Sequence, residues 1–110
     1  MKPPHRHTGP KWAAYVFSRI KLRFPLARFG GIFNCRKIAG SADQWSDHAW
    51  GNALDVFVSK KRGDAIVRWL KKRPRFNINY ILWQVPDHYD HIHISFNPSR
   101  TGQIPPCARG

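Results

Sequence analysis

The stretch from Asn52 to Val58, Asn-Ala-Leu-Asp-Val-Phe-Val, decides the fold. Its alternation reads as a strand, with Ala53, Asp55 and Phe57 on one face and Leu54, Val56 and Val58 on the other. Downstream, His91 to Phe96 reads as another strand, on which His91 and His93 share a face. A turn around Pro86 to Asp90 joins it to a strand from Asn79 to Val85. Upstream, Ile32 to Ile38 reads as a strand and Ala39 to Trp50 as a polar loop. Trp12, Val16, Ile20 and Phe24 recur at helical spacing in a segment that starts near Thr8 or Pro10 and stops at Pro25 and the glycines at 30 and 31. Gly63 to Arg73 suits a second helix, burying Ile66, Trp69 and Leu70 and ending before Pro74. The order predicts an α+β fold: a small, mostly antiparallel sheet of about four strands with two or three helices packed on it. It also predicts a basic N-terminal arm over 1–9, a single domain over 10–99 and an irregular tail over 100–110.

Composition bounds the function. The chain has 110 residues, 42% of them hydrophobic, which excludes disorder for most of its length despite a net charge of +13. No apolar run approaches the ~20 residues that cross a bilayer, and the first ten residues lack the apolar region of a secretory signal. The charge calls for an anionic partner, whether nucleic acid, membrane surface or cell-wall polymer. Its distribution is more telling. Lys and Arg are absent from 38–59 and from 76–99, yet these windows hold Asp43, Asp47, Asp55, Asp87 and Asp90 and four of the six histidines. Two acidic, His-bearing segments in a basic chain read as two halves of one site.

The first half is Ser46-Asp47-His48-Ala49-Trp50-Gly51-Asn52-Ala53-Leu54-Asp55 and the second Asp90-His91-Ile92-His93-Ile94-Ser95. Imidazole nitrogen and carboxylate oxygen are the donors that hold zinc with a fourth position open to water. His48 ends a loop and Asp55 lies in the next strand, so the chain can bring both to one ion, with Gly51 and Ala53 keeping bulk low beside it. Ser-x-His-x-x-Gly-x-Ala-x-Asp followed by His-x-His resembles the signature shared by zinc D-Ala-D-Ala carboxypeptidases, lysostaphin-like peptidases and the Hedgehog signalling domain. The layout looks closest to small peptidoglycan peptidases of bacteria and phages, over roughly residues 30–97.

The resemblance implies that His48, Asp55 and His93 are zinc ligands. It places the general base at Asp90, three residues before His93, although strict alternation turns Asp90 away unless the strand begins after it. His91 meets the face requirement without that condition, and Asp87 ranks third, with turn chemistry as its rival reading. The family's usual Glu is absent, because the chain contains none. Arg36, in the strand before the loop, is the expected stabiliser of oxyanion charge and substrate contact. Ser46 is expected to bond substrate or to orient His48; Trp45, Trp50 and Trp83 line a groove or belong to the core. Cys35 and Cys107 form either one disulfide or two free thiols.

These expectations add up to a monomeric zinc peptidase that cuts a peptide bond of peptidoglycan with metal-activated water, held at the wall by anionic polymer. It would reach the wall by release from the cytoplasm during phage lysis or as part of a longer exported or virion protein. The rivals are a small metal-dependent nuclease or DNA-binding protein, and a zinc-containing binding module without catalysis.

Overall fold

Pro10 presets the first turn of helix α1 (Pro10–Arg23), which buries Trp12, Ala13, Val16 and Ile20 along one stripe and stops before Pro25. The computed structural model describes residues 2–109; Met1 and Gly110, the outer ends of the expected arm and tail, lie outside the described residues. Four strands follow: β1 (Arg28–Gly31), β2 (Ala53–Phe57), β3 (Ile78–Leu82) and β4 (His91–Phe96). They form one antiparallel sheet in the order β1-β2-β4-β3. Helix α2 (Lys60–Lys71) lies between β2 and β3 in sequence, so the fold is α+β, with two α-helices among the described residues.

The alternation read in the sequence is the one that packs. Leu54 and Val56 of β2 and Ile92, Ile94 and Phe96 of β4 are wholly buried. They form one core with Val16 and Ile20 of α1 and Ile66 and Leu70 of α2. The intervening residues of β2 and β4 therefore face away from the helices, and these two central strands carry the candidate site. No helix among the described residues is long and apolar enough to cross a membrane.

Several boundaries move. The expected strand over 32–38 is not formed; β1 lies upstream of it, at Arg28–Gly31. The glycines read as a breaker instead belong to the ladder, with a bulge between Phe29 and Gly31. A side chain at Gly30 would stand 2.8 Å from the Asp55 carbonyl oxygen, so only glycine lets β1 lie this close to β2. Residues 32–38 direct their backbone elsewhere: Asn34 N–H donates to the His48 carbonyl and Ile38 N–H to that of Gln44, with a single bridge between Lys37 and Trp45. β3 ends at Leu82, short of Val85, where Gln84 takes a left-handed φ of 58°.

The ends are tied down. The Cys35–Cys107 disulfide closes a separation of 72 residues and answers the question the sequence left open. The expected arm is anchored at its inner end, where His7 stacks on Trp12 and the His7 carbonyl accepts from Asn77.

Candidate metal centre

Antiparallel register sets Asp55 of β2 directly opposite His93 of β4. His48 arrives from a short 3-10 turn, Asp47–Trp50, just before β2. Ser46 caps that turn by accepting the His48 backbone N–H at 3.2 Å. Gly51 closes it with φ 67°, and any side chain there would strike the Phe33 ring. The left-handed φ by itself favours glycine at this motif position.

Three donor atoms converge. His48 Nε2 stands 3.1 Å from Asp55 Oδ1 and 3.2 Å from His93 Nδ1, and the last two atoms are 3.3 Å apart. Each histidine has an oxygen partner on its other nitrogen. His48 Nδ1 lies 2.8 Å from the Ile32 carbonyl, which can only accept, so this nitrogen carries the proton and Nε2 turns a lone pair inward. His93 Nε2 lies 2.7 Å from Ser95 Oγ, and Tyr80 stacks on the same imidazole at 5.6 Å. Such outer partners orient the ligands of a metal site. A proton on His93 Nδ1 or a cation among the three atoms would relieve the repulsion of converging lone pairs, and the three side chains could hold a metal ion.

The electrostatics prepare the same state. With protons in the cluster, burial by itself would raise the Asp55 pKa, but hydrogen bonding and attraction from His48 and His93 hold its carboxyl well below the usual carboxylate range. Burial is the largest influence on His93 and moves it below its ordinary 6.5, favouring the neutral ring. An ionised carboxylate and a neutral imidazole are the forms that ligate.

Next to this cluster lies a histidine group. β4 begins at His91, so Asp90 falls outside it and the alternation rule does not govern its side chain. The Asp90 carboxylate is 79% exposed and sits 2.9 Å from His91 Nδ1, which holds its pKa below the ordinary value. His91 shares the His93 face, and its ring lies 4.8 Å from that of His88. His88 in turn lies 5.8 Å from His93, with its Nδ1 at 3.0 Å from the Pro86 carbonyl. Asp87 occupies an exposed left-handed turn position, as its turn reading requires.

Other expected residues fall differently. Arg36 is not on a strand; it is exposed on the irregular segment, where its carbonyl accepts the Ser46 N–H. The regular ladder that was to aim it at substrate is missing. Ser46 is 5% exposed and its hydroxyl accepts the His48 N–H, which places it to orient the turn that carries His48. Trp83 packs against the core and donates to Asp64, Trp45 lies beneath Lys37, and Trp50 lies beneath Arg100.

Sequence reasoning missed four contributors. Asp47, 1% exposed, accepts the Arg100 N–H at 3.1 Å and holds the tail against the turn that carries His48. Asn52 bonds both chain ends, Tyr80 supports His93, and His88 extends the histidine group. Asp47 and Asn52 occupy positions the motif leaves unspecified. The one available signal was two polar residues beside buried ligands, where side chains must find partners.

The family described as VldE, C-terminal domain, matches residues 11–89. This chain belongs to that family. The VldE C-terminal domain match takes in α1, His48, Asp55 and α2 and stops before His93. No curated protein and no solved structure matches the chain.

Proposed function

We propose that this VldE C-terminal domain is a zinc-dependent peptidase that hydrolyses a peptide bond in bacterial peptidoglycan. The observation that carries the reading is the triangle of His48, Asp55 and His93, with edges of 3.1, 3.2 and 3.3 Å. Ligands about 2.0–2.1 Å from a tetrahedral zinc stand about 3.3–3.4 Å apart, so the three atoms need shift only by a few tenths of an ångström. Two nitrogens and one carboxylate oxygen are also the donor set of catalytic zinc sites, which leave a fourth position open. Peptidoglycan as substrate rests on the resemblance of the two motifs to zinc peptidases of the cell wall.

Zinc bound there supplies a Lewis acid and lowers the pKa of a water nucleophile. The chain supplies the rest. Asp90 accepts from His91 Nδ1–H at 2.9 Å, which leaves His91 Nε2 as an acceptor on the face of the metal ligands. His91 is thus the general base, taking a proton at Nε2 and returning it to the leaving amine, with Asp90 fixing its tautomer. His88 lies beside it, with Nδ1 directed to the Pro86 carbonyl, and adds a second imidazole to the same wall.

The exposure of Asp90 favours one second reading, a zinc module without catalysis, since the carboxylate expected as base is bonded to His91 instead. One experiment separates these cases: metal analysis of the purified chain, with mass spectrometry of peptidoglycan fragments after incubation. The expected result is one zinc per chain and new peptide fragments, both lost in His48→Ala. Zinc without fragments supports the silent module, and absence of zinc overturns both readings.

A further inference from the structure

Away from the His48–Asp55–His93 triangle, a cleft of about 620 Å³ opens between the N-terminal arm, the first turn of α1 and the 3-10 turn. Its wall carries Arg6, Lys11 and Arg100 together with His5 and Trp50, and no carboxylate is among its lining residues. None of the three cations forms an ion pair with a carboxylate among the described residues. The first turn of α1 has no acidic residue either, so its partial positive charge adds to theirs. Like charges gathered on a concave wall raise the local potential and concentrate anions there.

The cations are also positioned. The Asn52 amide oxygen accepts from Thr8 Oγ at 2.6 Å and from the Gly9 N–H at 3.0 Å, which anchors the chain between Arg6 and Lys11. Asp47 holds the Arg100 backbone, and the Arg100 guanidinium lies 5.3 Å over the Trp50 ring. Two of the three charges thus sit on chain ends that buried side chains clamp to the metal loop.

We propose that this cleft binds phosphate groups of a phosphodiester polymer whose repeating unit is a polyol or sugar. Binding of single-stranded nucleic acid relies on aromatic faces on which bases stack. Here Trp50 is the one Trp, Tyr or Phe ring in the lining, and Arg100 covers it. The cleft therefore offers charge and side-chain N–H donors to phosphates, with the small His5 ring as the one uncovered aromatic face in its lining. The proposal rests on the cell-wall reading above for the setting in which such a polymer is met, and it adds a defined place of attachment outside the metal centre.

Calorimetric titration of the full chain with a short glycerol-phosphate oligomer tests this, with a single-stranded oligonucleotide of matched charge in parallel. The oligomer is expected to bind with an affinity that falls as salt rises, and the double variant Arg6→Ala/Lys11→Ala to weaken it about tenfold. The variant Lys71→Ala/Lys72→Ala, at the exposed end of α2, is expected to change affinity by less than about twofold. Equal weakening by both variants overturns the proposal in favour of diffuse charge. Tighter binding of the oligonucleotide, lost in the Arg6/Lys11 variant, overturns it in favour of a nucleic-acid site. A chain that cuts peptidoglycan peptides but does not bind the oligomer refutes this proposal alone. Oligomer binding without peptide cleavage supports it and counts against the peptidase reading alone.

Discussion

Asn52 lies between two candidate ligands, at a position their motif leaves open, and its replacement by alanine tests how the site is held together. Its side chain is 1% exposed and makes four hydrogen bonds. The amide oxygen accepts from Thr8 and Gly9, and the amide nitrogen donates to the carbonyls of Phe96 and Pro98 at 2.8 and 3.0 Å. A net ~0.5–1.5 kcal/mol per bond gives a gross loss of about 2–6 kcal/mol. Thr8 and Gly9 are only half-buried and regain water when the arm lifts, which lowers their share. Phe96 is wholly buried, so its carbonyl goes unpaired at a cost of about 1–3 kcal/mol. The expected destabilisation of Asn52→Ala is about 3–4 kcal/mol, a large part of the ~5–15 kcal/mol that holds a domain folded. Urea unfolding measures it as a lower midpoint, and amide exchange at Gly9 reports release of the arm. A loss below about 1 kcal/mol, with Gly9 still protected, would refute the clamp.

Three further outcomes test other parts of the reading. His91→Ala is expected to lower kcat by ~10²–10⁴ with zinc content unchanged, and Asp90→Asn by less; the reverse order in a fragment-release assay would make Asp90 the base. Lys60 and the Trp83 indole N–H hold the Asp64 pKa below its ordinary 3.8, so the unfolded chain binds more protons as pH falls through and below that value. Asp64 thus contributes stability above this window that is lost within it, and Asp64→Asn should reduce the difference between urea midpoints at about pH 5 and about pH 3. Equal differences in the two proteins would exclude the contribution. Replacing Cys35 and Cys107 by serine should cost about 2–4 kcal/mol, given a closed separation of 72 residues, and an unchanged urea midpoint would count against that role.

Alternation in β2 and β4 was legible because a strand's period is local: Leu54, Val56, Ile92 and Ile94 point to the core wherever the sheet lies. Asp55 and His93 therefore had to face the other way. β1 was misplaced because Gly30 and Gly31 are local breakers, and only the nearness of the Asp55 backbone makes glycine the residue a ladder needs there. Arg36 lost its expected strand for a related reason, since the surrounding backbone bonds to the loop that carries His48.

The sequence by itself determined the α+β class, the faces of the central strands and the grouping of His and Asp into two windows free of Lys and Arg. These follow from periodicity and composition, which neighbouring residues impose on one another. Tertiary structure decided that Asp55 and His93 stand opposite each other, that His48 closes the triangle, and that Asp47 and Asn52 tie both chain ends to it. Those facts depend on partners far apart in the chain, as with His48 and His93 at a separation of 45, and no local pattern encodes which distant carbonyl a buried amide will find.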